Sequence, residues 1–195
     1  MGRQAKNAAS QLAHVPGDVK AQALRSAAQM IRQRCRDILG VNERDVEAGK
    51  KAGVKPAFLD RMALNSDRLE AVCGSLNDIA DQDDPVGRII AAWDRPNGLK
   101  ISRVATPIGV LAIIYESRPN VTVDAAAISI KSGNAAILRG GSECIETNKA
   151  LFDCVLEGAR NAGLPPHAIQ LVGTPDRAAV GEILKGLNGL SLIHL

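Results

Sequence analysis

Four short apolar runs, Val110 to Tyr115, Ala135 to Leu138, Ile169 to Val172 and Leu190 to Leu195, alternate with helical periodicity in the second half of the 195-residue chain. A strand that is apolar along its whole length must be buried on both faces, the condition of a parallel sheet covered by helices. The intervening stretches supply those helices: one ending at Gly133, one from Ser142 to Ala162, and one from Asp176 to Leu184. The pattern predicts an α/β fold with a Rossmann-like, doubly wound parallel sheet over residues 106–195. No crossover follows Leu190 to Leu195, so the expectation is a truncated sheet with an exposed apolar edge.

The first 85 residues read differently. Leu24, Ala27, Ala28, Ile31, Cys35 and Ile38 recur at helical spacing, predicting one amphipathic helix from Asp18, as N-cap, to Leu39, with Gly40 as its stop. A short helix is expected after Asn42 and another from Pro56. A third, capped by Ser66, carries the stripe Leu69, Val72, Cys73, Leu76 and Ile79. The helical pattern breaks at Asp81-Gln82-Asp83-Asp84-Pro85. Beyond it, Val86 to Trp93 and Leu99 to Val104 flank a turn containing Asn97-Gly98, which predicts a protruding β-hairpin over residues 86–105. An isolated two-stranded ribbon is marginal on its own, so this hairpin is expected to serve oligomerisation.

Composition excludes several classes of function. No apolar run approaches the ~20 residues of a membrane span, and the N-terminus lacks the apolar core of a signal peptide, so the expectation is a soluble, cytoplasmic protein without a membrane partner. The net charge of +3 is spread along the chain and only four residues are aromatic, which argues against nucleic acid. Cys35, Cys73, Cys144 and Cys154 have neither CxxC spacing nor the density of a disulfide framework, and His14, His167 and His194 form no metal-binding pair. No metal is expected.

The chemistry concentrates where strands should end. Arg118-Pro119-Asn120 follows the first run, and Arg139-Gly140-Gly141-Ser142-Glu143 follows the second, so both lie at the carboxyl ends of parallel strands, where open α/β sheets bind ligands. The glycines would let a ligand approach the backbone, and a helix starting at Ser142 would offer free N–H groups to an anion. Gly140-Gly141 can equally be a plain βα turn, and the arginines surface ion-pair residues. Two arginines after successive strands favour a phosphorylated ligand, although no G-x-G-x-x-G occurs.

The stretches Ile114-Tyr115-Glu116-Ser117-Arg118-Pro119-Asn120-Val121-Thr122-Val123-Asp124, Gly133-Asn134 and Ile137-Leu138-Arg139-Gly140-Gly141-Ser142-Glu143 resemble the signature of the γ-glutamyl phosphate reductases (glutamate-5-semialdehyde dehydrogenases), within the aldehyde dehydrogenase superfamily. Leu59 to Leu64, Asp84-Pro85-Val86-Gly87 and Gly163-Leu164-Pro165 extend the likeness along nearly the whole chain. The resemblance implies NADPH-dependent reduction of L-glutamate 5-phosphate to the 5-semialdehyde in proline biosynthesis, through a cysteine thioester. It implies homo-oligomers and association with glutamate 5-kinase. Arg118, Pro119, Asn120, Arg139, Gly140, Gly141, Ser142 and Glu143 become the cofactor-binding set. Arg139 is matched to the residue that contacts the adenosine ribose or its 2′-phosphate, and Asn120 to the oxyanion-stabilising asparagine.

None of the four cysteines matches the family nucleophile, which lies in a later glycine-rich segment. Cys144 sits at a helix start, where a thiolate is favoured, but within the cofactor motif, so it is read as packing. The expected protein is therefore an N-terminal NADPH-binding part, inactive alone, with its catalytic domain absent. The alternatives are a non-catalytic dinucleotide-binding or oligomerisation module and part of another aldehyde dehydrogenase.

Overall fold

The computed structural model describes residues 1–195. Five helices come first: α1 (Gly2–Leu12), α2 (Gly17–Gln33), α3 (Cys35–Lys51), α4 (Pro56–Met62) and α5 (Ser66–Asp81). An antiparallel hairpin follows, β1 (Ile89–Asp94) and β2 (Lys100–Val104). The rest alternates: β3 (Val110–Ile114), α6 (Pro119–Lys131), β4 (Ala135–Arg139), a 3₁₀ turn (Ser142–Cys144), α7 (Ile145–Asn161), β5 (Ile169–Leu171), α8 (Ala178–Leu184) and β6 (Leu192–His194). The α/β class and the parallel sheet are as the apolar runs predict.

The four-stranded sheet has the order β5-β4-β3-β6, every pair parallel. The chain steps outward from β3 to β4 to β5 and then returns to the far side of β3, so the strand order reverses between β3 and β6. All five residues of β4 are buried. Ala136 and Leu138 pack toward α6 and α7, while Ala135 and Ile137 meet Ala5 and Ala9 of α1 together with Val110. The second face of the sheet is thus covered from the N-terminus, by a helix of small residues.

Several boundaries move. The helix expected from Asp18 to Leu39 is two helices broken at Arg34 (φ −99°, ψ 14°), and Gly40 lies inside α3 instead of ending anything. The apolar stripe continues across the break, so periodicity alone could not reveal it. Asn42, expected before a separate short helix, is buried within α3. Its amide donates to Met62 O at 2.8 Å, and its Oδ1 accepts from Leu64 N–H at 2.7 Å, pinning the α4–α5 link. Asn65, not Ser66, caps α5, its Oδ1 accepting from Arg68 N–H at 2.7 Å. The hairpin strands begin later than predicted because Pro85 to Arg88 form a turn, with Gly87 in the left-handed region (φ 83°).

The helical layer locks onto the sheet where α2 crosses α7. A Cβ on Gly158 would lie 2.5 Å from Ala27 N and 2.7 Å from Ala23 O, so the two backbones touch at this point. Neither backbone can retreat from a methyl group without opening the core around Leu24, Leu151 and Val155. Gly158→Ala is expected to destabilise the chain by about 1–3 kcal/mol, the usual range for overpacking, read as a lower urea midpoint with unchanged slope. An unchanged midpoint would show that the crossing can open freely.

Candidate functional site

A cleft of about 960 Å³ opens at the carboxyl ends of β3, β4 and β6, with a far wall formed by Val54, Lys55 and Phe58 at the start of α4. It spans the point between β3 and β6 where the strand order reverses, the position at which open α/β sheets leave room for a ligand. Of the predicted residues, Arg118, Arg139, Gly141, Ser142 and Glu143 line it. Pro119 is buried as the first residue of α6, and Asn120 faces a different pocket.

Arg139 ends β4 and is only 8% exposed. Its Nη1 donates to Gly140 O at 2.9 Å and its Nη2 to Pro175 O at 3.3 Å, while the buried Nε has no partner. Two backbone carbonyls fix the guanidinium without neutralising it, and no carboxylate lies within 4 Å. A buried, unsatisfied donor of this kind is uncommon.

Glu143, in the 3₁₀ turn, accepts a short hydrogen bond from the Ser117 hydroxyl. That bond, more than anything else, holds its carboxyl below the ordinary range despite partial burial. Ser117 lies beyond β3 and Glu143 beyond β4, so the bond ties the two strand-end loops together.

The glycine pair is required by the protein's own packing. A Cβ at Gly140 would sit 2.3 Å from Asn148 Nδ2 and 2.8 Å from the Tyr115 ring, and one at Gly141 only 2.0 Å from Ser117 Oγ. The side that a Cβ would take is filled by the chain's own loops, while Gly141 also lines the cleft. Behind them Thr122 Oγ1 donates to Asn148 Oδ1 at 3.1 Å, so its own acceptor capacity is met by the Tyr115 hydroxyl at 2.8 Å.

The expected free helix start is also corrected. Ser142 to Cys144 form a 3₁₀ turn, α7 begins at Ile145, and Asp45 of α3 takes the Thr147 N–H at 2.9 Å and the Thr147 hydroxyl at 2.7 Å through its Oδ2. A carboxylate from another helix already caps this terminus. Cys144, fully buried beside it, has its thiol pushed up to about 12, chiefly by burial and then by Asp45. Its reading as a packing residue stands, and Cys73 and Cys154 are likewise buried thiols raised to about 11 by desolvation.

Asn120 donates to Asp124 Oδ2 at 3.1 Å within α6. Both line a second pocket of about 450 Å³ against α4 and α5, and Arg118 stands at the edge of both cavities. The sequence reading missed the wall at Val54 to Phe58 and the cap from Asp45. These come from distant segments, and no local pattern announces them.

Residues 1–195 match the model of the aldehyde dehydrogenase family over their whole length. The chain is 52% identical to a γ-glutamyl phosphate reductase of Mesorhizobium japonicum over 189 residues, 97% of this chain and 44% of that protein. It superposes on the crystal structure of γ-glutamyl phosphate reductase from Thermotoga maritima with a TM-score of 0.94 at 35% identity, covering 98% of this chain and 46% of the other. The corresponding structure from Saccharomyces cerevisiae gives 0.91 at 29% identity, over 98% and 49%. The chain thus spans about half the length of the curated relatives it matches.

The buried thiols and the Tyr115 hydroxyl give a pH test. Cys144 rises from its ordinary 9.0 to about 12, Cys73 and Cys154 from 9.0 to about 11, and Tyr115 from 10.0 to about 12, all chiefly through burial. With folded values above unfolded ones, the unfolded chain releases these protons first. The stability they contribute is therefore complete below about pH 9 and is lost as pH rises toward 12. The urea midpoint is expected to fall steadily from pH 9 upward, and Cys144→Ala to make that fall shallower. An identical slope in the variant would exclude Cys144 from the effect.

Proposed function

The chain belongs to the aldehyde dehydrogenase family, and on that footing we propose that it corresponds to the NADPH-binding part of a γ-glutamyl phosphate reductase, the cytoplasmic enzyme that converts L-glutamate 5-phosphate to L-glutamate 5-semialdehyde in proline biosynthesis. The observation that carries this reading is the uncompensated Arg139 guanidinium, with its partnerless Nε, at the end of β4 in the cleft that spans the reversal point of the sheet. The relatives' names support the substrate. The cleft fits such a group: it is large enough for a nucleotide, and its fixed cation matches a phosphate or a ribose oxygen.

In this reading NADPH supplies the hydride, and the chain's own residues bind and orient. Arg139 receives the 2′-phosphate. Glu143, held ionised by Ser117, accepts from a ribose hydroxyl. Asn120 takes the oxyanion-stabilising role that the family resemblance gives it. The nucleophile is not drawn from Cys73, Cys144 or Cys154, because buried thiols at about 11 to 12 supply almost no thiolate near neutral pH. Glutamate 5-kinase, which makes an acyl phosphate of this kind, is the partner that the resemblance adds.

Arg139→Ala is expected to weaken NADPH binding by about 10- to 150-fold, the equivalent of 1.5–3 kcal/mol for a charge-assisted hydrogen bond, and NADH far less. Calorimetric titration of both cofactors against both proteins, with a thermal melt as the folding control, reads this. Equal losses for NADPH and NADH would assign Arg139 to the fold instead.

The hairpin also belongs to this proposal. Every residue of β1 is exposed, including Ile89 at 62%, Ile90 at 55% and Trp93 at 41%, and the ribbon is not part of the four-stranded sheet. A second copy of the reductase is the expected cover. Introducing Ile90→Lys with Trp93→Lys is expected to shift sedimentation toward the monomer without lowering the melting temperature. A monomeric unmodified protein would refute the assignment.

A further inference from the structure

The second pocket lies beyond Arg118, walled by α4, α5 and the first turns of α6. Most of its charges are engaged. Arg68 donates to Asp60 O at 2.6 Å, Ala63 O at 2.7 Å and Asp60 Oδ1 at 3.1 Å, which closes the α4–α5 connection. Arg61 reaches Glu116 at 3.5 Å and lies over the Phe58 ring at 5.3 Å. Two charges are left, Arg118 and Asp124. Neither has an opposite charge within 4 Å, although both line the same pocket of about 450 Å³.

Asp124 is the more informative of the two. One oxygen accepts from Asn120, and no protein group donates to the other. Burial raises its carboxyl above the ordinary range, and the Asn120 bond only partly opposes this, so the charge is held where the fold gains nothing from it. A cation and an anion kept apart across one small cavity are complementary to a molecule carrying both signs. A simple dianion would meet Asp124, and a simple cation would leave Arg118 unanswered.

We propose that this pocket binds the zwitterionic head of an α-amino acid, Asp124 receiving the α-ammonium group and Arg118 an oxyanion of the same molecule. The choice of glutamate as that amino acid rests on the reductase reading above, whereas the charge argument rests on the pocket alone. Asn120, which lines the same pocket, holds one Asp124 oxygen in place by its hydrogen bond.

The test is a titration of the ¹⁵N-labelled chain with L-glutamate and with glutarate, which differs only in lacking the α-ammonium. L-Glutamate is expected to shift the amides of Asn120 to Asp124, and glutarate to bind at least about tenfold more weakly, as loss of a charged hydrogen bond implies. Asp124→Asn should bring L-glutamate down to the glutarate level. A merely structural aspartate would lower the melting temperature when replaced, but removing this desolvated charge should leave it unchanged or raise it. Arg118→Gln should weaken both ligands. Equal binding of glutarate, an unaltered affinity in Asp124→Asn, or no response of these amides to L-glutamate in a folded chain would each overturn the proposal. An NADPH titration of the same sample, followed at Arg139 and Glu143, separates the readings: its failure with L-glutamate binding intact removes the cofactor assignment alone.

Discussion

The complete burial of β4 is the constraint from which the rest of the structure follows. Five consecutive buried residues, paired in parallel on both sides, require apolar cover above and below. The cover on one face comes from the crossovers α6 and α7, which the βαβ connections place there, but the other face is covered by α1, brought from the far end of the sequence. Small side chains make this possible: Ala5 and Ala9 let α1 lie close against Val110, Ala135 and Ile137. The strand can turn polar only at its carboxyl end, so Arg139 is both the last buried residue of the sheet and the first of the cleft.

The helical layer is held to this sheet by buried polar groups as well as by area. Lys20, with no solvent exposure, pairs with Asp84 at 2.7 Å, and Lys131 donates to Ala80 O at 2.9 Å, so two ammonium groups fasten the end of α5 and the approach to the hairpin. Asn42 and Asp45 on α3 do the same at the opposite end, tying α4 and α7 to one helix. Such groups add specificity of position because each has a single arrangement that satisfies it, and removing one partner leaves a buried charge or dipole unpaired.

The division between what the sequence discloses and what it hides follows the range of the forces involved. The parallel sheet was legible because burial on both faces writes itself as unbroken apolar runs. Arg139 and Arg118 were legible as residues of the cleft because a polar residue just after such a run has to emerge at the sheet's edge. The break at Arg34 was not, since the buried stripe passes through it uninterrupted. Gly140 and Gly141 were legible only in part: a glycine pair signals close approach without saying what approaches, and the side a Cβ would take is occupied by Tyr115, Asn148 and Ser117. Asp45 on the α7 terminus is a contact between residues 102 apart in sequence, beyond any local pattern.

That contact also settles how anionic charge is distributed over the site. At the amino end of α7 the Thr147 N–H is already taken by Asp45, so part of that terminus is neutralised by a carboxylate of the chain itself. The positive potential passes instead to Arg139 and Arg118, two side chains with no carboxylate within 4 Å, placed on successive strand ends. Glu143, in the 3₁₀ turn and held ionised by Ser117, adds a negative charge to the same wall, so the cleft carries both signs on side chains fixed by the strand ends.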